Sequence, residues 1–233
     1  AITYSDTTNP TVSSFTSTTA DGSYGVNSEV NITATMSEAV IAGSAITVDL
    51  DTSANDTVVL TSSGAGNTVV GTYTVSSSDV STDLTVSSIS LATGQSVTDI
   101  FGNTMTSTTI PANNNLSDNE ALVIDTQAVF ALGNATRVQN DGNSTADAGD
   151  IVRFLFSEEV ANTGTIDSFF TSTEKYGISG TSTAWSSNSG KNNSKLEVTL
   201  GSGETYSFEA ITLSSVLDSA DNSSDLTYTV PEL

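Results

Sequence analysis

Two tandem all-β domains, each closing its own core from short strands, are what this sequence predicts, and three observations carry the prediction. First, two unrelated words recur at one spacing: Ser37-Glu38-Ala39-Val40 returns as Ser157-Glu158-Glu159-Val160, and Val97-Thr98-Asp99-Ile100-Phe101-Gly102-Asn103 returns as Val216-Leu217-Asp218-Ser219-Ala220-Asp221-Asn222, with offsets of 120 and 119 residues. A shared offset is the mark of a duplicated domain, and it divides the 233 residues into 1–125 and 126–233. Second, only 36% of residues are apolar and the remainder is rich in Ser, Thr, Asn, Asp and Gly. Thr and Val suit pleated, half-exposed surfaces, while Asn, Asp and Gly suit the turns between them. Third, apolar residues alternate with a period of two, and no stretch shows a helical period of 3.6.

Taken in order, the first repeat offers strands at Val12–Thr18, then at Val30-x-Ile32-x-Ala34-x-Met36, at Ile46-x-Val48-x-Leu50 and at Thr57–Thr61. Val69-x-Gly71-x-Tyr73-x-Val75, Leu84–Leu91 and Ala121–Ile124 complete it, with Pro111–Glu120 reading as a long loop. The second repeat offers Val129–Leu132, Val152-x-Phe154-x-Phe156, Tyr176–Ser179, Thr183–Ser186, Leu196-x-Val198-x-Leu200, Tyr206-x-Phe208 and Leu226–Val230. Seven short strands in a domain of about 110–120 residues, separated by turn formers, are the pattern of an immunoglobulin-like β-sandwich.

Charge and missing residue types exclude much chemistry. The chain has no cysteine and no histidine, so disulfides, thiolate metal sites and Ser-His-Asp or Cys-His nucleophiles are out of reach. Its net charge is −22; residues 1–125 hold thirteen acids and no base, and all five cations, Arg137, Arg153, Lys175, Lys191 and Lys195, lie in the second repeat. Nucleic-acid backbones and anionic lipid need clustered Lys and Arg, so neither is an expected partner. No apolar run reaches the roughly 20 residues of a membrane span. The small residue at position 1 fits a mature secreted chain. Seven Asn-x-Ser/Thr triplets occur, at Asn31, Asn55, Asn115, Asn134, Asn143, Asn192 and Asn222, many of which such a composition produces on its own.

The repeated words carry the acids. If strands run alternately down and up, the start of the chain, the loop after the second strand and the loop before the seventh share one end of a domain. That end gathers Asp6, Glu38, Asp99 and Asn103 in the first repeat, and Asp125, Glu158, Asp218 and Asn222 in the second. Oxygen-only ligands suit Ca2+, which accepts irregular shells of 6 to 8 oxygens, with backbone carbonyls and water completing each shell. The same Asp and Asn residues are also ordinary makers of Asx-turns at loop tips, and a duplicated fold duplicates its turns. A looser cluster, Asp141-Gly142-Asn143 with Asp147 and Asp150, lacks EF-hand spacing and reads as a hairpin loop.

The run Asp6-Thr7-Thr8-Asn9-Pro10-Thr11-Val12, followed by Thr18-Thr19-Ala20-Asp21-Gly22-Ser23-Tyr24-Gly25-Val26, Ser37-Glu38-Ala39-Val40 and Asp99-Ile100-Phe101-Gly102-Asn103, resembles the bacterial and archaeal Ig-like repeats of large cell-surface proteins. Such repeats occur in calcium-dependent adhesins, surface-layer proteins and related extracellular assemblies. The resemblance covers most of the first domain. It implies a cadherin-like sandwich with cations at the domain junctions, held by the matching acids. The second domain departs from the pattern: no proline follows Asp125-Thr126, Asp221 replaces Gly102, and Glu159 is an extra acid.

Ala1-Ile2-Thr3-Tyr4-Ser5-Asp6-Thr7 resembles Ala121-Leu122-Val123-Ile124-Asp125-Thr126, the last strand of the first domain running into the junction, so the first five residues read either as an extension strand or as a frayed terminus. An unpaired strand can add to the sheet edge of a neighbouring subunit, and a head-to-tail contact of that kind continues into a filament or lattice. The leading expectation is therefore a non-enzymatic, secreted cell-surface protein: a calcium-stiffened subunit of a surface layer, sheath or filament, with itself as partner. The alternative is a calcium-dependent adhesin module that binds a glycan or surface, for which Trp185 is the candidate platform. Glycoside chemistry from Glu158 and Glu159 is disfavoured because neighbours on a strand end point to opposite faces.

Overall fold

Alternation along the sequence becomes alternation across a sheet. Strand β3, Glu29–Val40, buries Val30, Ile32, Ala34, Met36 and Val40 and turns Asn31, Thr33 and Thr35 outward. The computed structural model describes residues 5–54, 56–139, 141–142, 148–163, 182–201 and 210–229. It is an all-β protein whose chain divides into two units, Ala1–Thr126 and Gln127–Leu233.

In the first unit, β1 (Val12–Thr16), β3, β4 (Ala45–Leu50), β5 (Thr57–Thr61), β6 (Gly66–Thr74) and β7 (Val86–Ser90) form one sheet in the order β1-β3-β6-β5-β4-β7. A two-stranded parallel pair joins β2 (Gly22–Tyr24) to β8 (Leu122–Ile124). Each expected strand of this repeat is present within a few residues, and β2 is an addition. Its three residues, Gly-Ser-Tyr, are too short and too polar to show a period. The expected loop Pro111–Glu120 holds one helical turn, α1 (Leu116–Asn119). Asn115 caps it through a reciprocal capping box with Asp118, and Leu116 plugs the core. The core gathers Phe15, Ile32, Ile46, Leu50, Leu60, Leu84 and their neighbours.

In the second unit, β9 (Thr136–Val138), β10 (Ile151–Leu155), β11 (Ser182–Asn188) and β12 (Lys191–Thr199) form a sheet in the order β11-β12-β10-β9. Strands β13 (Ala210–Leu217) and β14 (Ser223–Thr229) form an antiparallel pair. Val129–Leu132, expected as a full strand, contributes only the Ala131–Phe156 bridge, and the ladder resumes in β9. The expected strands Tyr176–Ser179 and Tyr206–Phe208 lie outside the described residues. The core centres on Phe154, Phe156 and Tyr228, whose rings meet edge to face at 5.1 and 6.0 Å. The Tyr228 hydroxyl donates to Leu155 O at 2.7 Å.

Among the described residues no helix is long and apolar enough to cross a membrane.

Candidate metal centre

Ser37 explains why the repeated word begins with serine. Its N–H donates to Thr11 O at 2.8 Å and its hydroxyl accepts from Thr11 N–H at 3.0 Å, so one residue binds the incoming segment at two points. Ser157 repeats both bonds with Phe130, its N–H donating to Phe130 O and its hydroxyl accepting from Phe130 N–H, each at 2.9 Å. The next residue, Glu38, lies inside β3 near its end. It is expected from sequence to follow the strand, but the strand read from sequence as ending at Met36 runs on to Val40, and the unrecognised β2 makes it the third rather than the second.

Asp99 stands across from Val40, two residues beyond Glu38, in an antiparallel bridge, and Ile41 N–H donates to Thr98 O at 2.9 Å. From there the chain turns back on itself: Met105 N–H donates to Val97 O, and Asp99 N–H to Asn103 O, closing a small hairpin. The hairpin lies in the long connection between β7 and β8, as expected for the segment before the last strand of the repeat. The Asp99 carboxylate organises the turn, with Oδ1 accepting from Phe101 N–H at 2.8 Å and Asn103 N–H at 2.7 Å. The Asn103 amide donates to Asp99 Oδ2 at 2.7 Å and to Asp6 O at 3.2 Å, which ties the incoming segment to the same spot. The Asp6 carboxylate accepts from Thr8 N–H at 2.9 Å.

Carboxylate oxygens of Asp6, Glu38 and Asp99 thus lie within 4.8 Å of one another. Like charges at that spacing repel strongly unless something positive or a proton lies among them. Glu38 shows the strain most clearly, because its Oε1 is closed off from solvent and meets no hydrogen-bond partner. Lost hydration, then the charges of Asp6 and Asp99, push its carboxyl above the usual value. Asp99 responds oppositely. Lost hydration would raise it, yet bonds from the side chain and N–H of Asn103 and from the N–H groups of Phe101 and Gly102 hold it below the usual carboxylate value.

The second unit rebuilds the turn bond for bond. Asp218 Oδ1 accepts from Ala220 N–H at 2.8 Å and Asn222 N–H at 2.9 Å, and Asn222 Nδ2 donates to Asp218 Oδ2 at 2.8 Å. Ala161 N–H donates to Leu217 O at 2.8 Å, the counterpart of the Ile41 bond. Gly102 has φ of 92° and its counterpart Asp221 has φ of 61°. Aspartate is among the few residues besides glycine that tolerate the left-handed region, so this departure from the repeat leaves the turn intact. Carboxylate oxygens of Glu158 and Asp218 lie within 4.8 Å of each other. Asp125 follows β8 in the first unit, its N–H donating to Tyr24 O at 3.1 Å. Asn103 and Asn222, expected as oxygen ligands, present their amide nitrogens to Asp99 and Asp218.

Other candidates fare differently. Trp185 stacks on Phe156 with ring centroids 5.6 Å apart and packs half-buried against the core. A cleft of about 450 Å³ beside Asp51, Ser81, Thr82 and Val123 contains the Asp51 carboxylate, which accepts from the Ser81 hydroxyl and Thr85 N–H. Among the glycosylation triplets, the amides of Asn31, Asn115 and Asn222 are tied into internal hydrogen bonds, Asn134 and Asn192 are exposed, and Asn55 and Asn143 lie outside the described residues. In the looser acidic cluster, Asp150 is buried and lies 3.8 Å from buried Arg137; Asn143 and Asp147 are outside the described residues.

Compared with known families and curated proteins, the chain matches no family model and no curated sequence.

Proposed function

We propose that this is a non-enzymatic, extracellular structural protein whose two units are immunoglobulin-like β-sandwiches stiffened by Ca2+, and that it serves as a self-associating subunit of a cell-surface assembly. The observation that carries the reading is the acidic trio Asp6, Glu38 and Asp99 with its unpartnered Glu38 oxygen. A divalent cation offsets three converging carboxylates and gives that buried oxygen a partner. The all-oxygen donor set favours calcium, which tolerates an irregular shell, over zinc or copper. The proposed second site uses Glu158 and Asp218, the counterparts of Glu38 and Asp99 in the second repeat.

Such a site ties together segments far apart in sequence, the incoming chain, the end of β3 and the 97–105 hairpin. Cation binding there stabilises the folded domain without chemistry, which is the requirement of a load-bearing repeat. The resemblance to Ig-like surface repeats and the acid-rich chain support the cell-surface placement. The head-to-tail route by addition of residues 1–5 to a neighbour remains part of the proposal, and residues 1–4 lie outside the described residues. For the adhesin alternative, the core packing of Trp185 leaves the binding platform unassigned.

Isothermal titration of the chelator-stripped protein with CaCl2 tests the reading. Two bound ions are expected, one lost in Asp99→Asn and the other in Asp218→Asn. Absence of heat and of any thermal shift at millimolar calcium returns both clusters to plain turn chemistry.

A further inference from the structure

Each repeat serves as a reference for the other, and the two differ where folding does not require it. At the turn, the first unit exposes Ile41, Ile100 and Phe101, 43%, 58% and 53% accessible. Their counterparts in the second unit are Ala161, Ser219 and Ala220, which support the same hydrogen bonds. The large apolar side chains are therefore not needed to build the turn. Along the equivalent strands β3 and β10 the asymmetry reverses. Strand β3 turns Asn31, Thr33 and Thr35 outward, whereas the equivalent β10 turns Ile151, Arg153 and Leu155 outward. Register places Val138 beside Ile151, and the Ala131–Phe156 bridge leaves Phe130 and Leu132 on that outer face. Phe130, Leu132 and Val138 are 56%, 41% and 37% accessible. A strand apolar on both faces is the pattern of one covered on both faces.

We propose that these surfaces are the two halves of one contact, the Ile41–Ile100–Phe101 tip of one copy docking on the β9–β10 face of a second copy's second unit. Charge selects the partner. The tip is rimmed by Asp6, Glu38 and Asp99, and still carries net negative charge with a divalent cation bound. The face bears Arg153 and Lys195, which share the single carboxylate of Glu197 at 2.7 and 3.6 Å, so these three groups sum to one positive charge in a chain of net −22, with Glu158 beside Ser157 at the Phe130 end. The tip and the face are different surfaces, so the contact is heterologous and continues from copy to copy. This inference rests on the self-associating reading and supplies it with a side-chain interface.

Sedimentation velocity of the full chain in excess calcium, at about 0.1 mM, a concentration suited to micromolar contacts, tests it. Each variant borrows residues from the sister repeat: Ile41→Ala/Ile100→Ser/Phe101→Ala for the tip, and Ile151→Asn/Leu155→Thr for the face. Wild type should form a series whose mean size rises with concentration, and each variant alone should associate at least about tenfold more weakly, as loss of central apolar anchors does. An equimolar mixture should form a one-to-one pair and stop there, because one good tip meets one good face. Circular dichroism and melting confirm folding, and Phe130→Ser, an exposed position, replaces the face variant if that variant unfolds. A wild type that stays monomeric, a face variant that assembles normally, or a mixture that stays monomeric overturns the proposal. Calcium titration of the same variants separates it from the cation reading: bound calcium without assembly defeats the docking alone, and assembly without bound calcium defeats the cation site alone.

Discussion

Glu38 is where the cation and proton readings of the trio make opposite predictions. Its carboxyl is raised, first by lost hydration and then by Asp6 and Asp99, so the stability associated with its protonated form is complete below the unfolded value and is lost as pH rises through the folded value. In chelator at neutral pH, Glu38→Gln should therefore raise the melting temperature, and the gain should vanish when the pH falls below the carboxylate range. In calcium at neutral pH the sign should invert, since the variant loses a ligand; scanning calorimetry at about pH 3 and pH 7, with and without calcium, reads all four states. A variant that lowers the melting point equally in every condition would show Glu38 to be a packing residue only. Asp99 runs the other way: held below the usual value by bonds to Asn103, Phe101 and Gly102, it contributes stability above the unfolded value that is lost as pH falls through the folded one. Asn103→Ala removes bonds to both Asp99 and Asp6 O, and should weaken calcium at the first site while leaving the second unchanged in a titration that resolves the two.

Gly71 and Asn115 show how single residues decide an element. A Cβ at Gly71 would lie 2.5 Å from Val59 O and 2.8 Å from Leu60 Cδ2, so β5 approaches β6 only because no side chain stands between them. Gly71→Ala should cost about 1–3 kcal/mol, as overpacking does, and urea unfolding of the first unit's transition measures it. Asn115 caps α1 while its amide donates to Val86 O at 2.9 Å and accepts from Val86 N–H at 3.3 Å, pairing the β7 edge as a neighbouring strand would. Asn115→Ala should cost about 1–2 kcal/mol, at the upper end for a cap, by the same measurement. These long-range roles leave no local signature, which is why Pro111–Glu120 reads from sequence as plain loop. Strands β3, β5 and β12 were legible because apolar residues alternate along them and one face is buried, and β4 because Ile46, Val48 and Leu50 alternate in the sequence although both of its faces are largely covered. Strand β13 was not, because a bulge between Leu213 and Val216, with Ser215 at φ of 52°, inserts a residue and breaks the alternation of Leu213 and Val216. The acids of the trio were legible through the repeat, but the pinning by Ser37 and the apolar turn tip were not, since both depend on what the folded hairpin places beside them.

For the whole molecule, two kinds of cation dependence overlap and can be separated. A chain of net −22 repels itself at low ionic strength, so any salt should raise its melting temperature until the Debye length falls to about 8–10 Å near 0.1–0.15 M. Coordination is different, because it requires particular oxygens and saturates. At fixed ionic strength, calcium at a hundredfold excess over its dissociation constant should add about 2.7 kcal/mol per site, a rise on the order of 10 °C for a unit of this size. Magnesium should give less, because it demands a tighter octahedral shell and gives up its water reluctantly. The double variant Asp99→Asn/Asp218→Asn divides the two effects: it should keep nearly all of the sodium chloride response and lose the calcium response. Differential scanning calorimetry along both titrations decides the matter. If the double variant retains the calcium gain, the cation acts on the acidic surface as a whole, and the duplicated turns hold their aspartates for the backbone bonds alone.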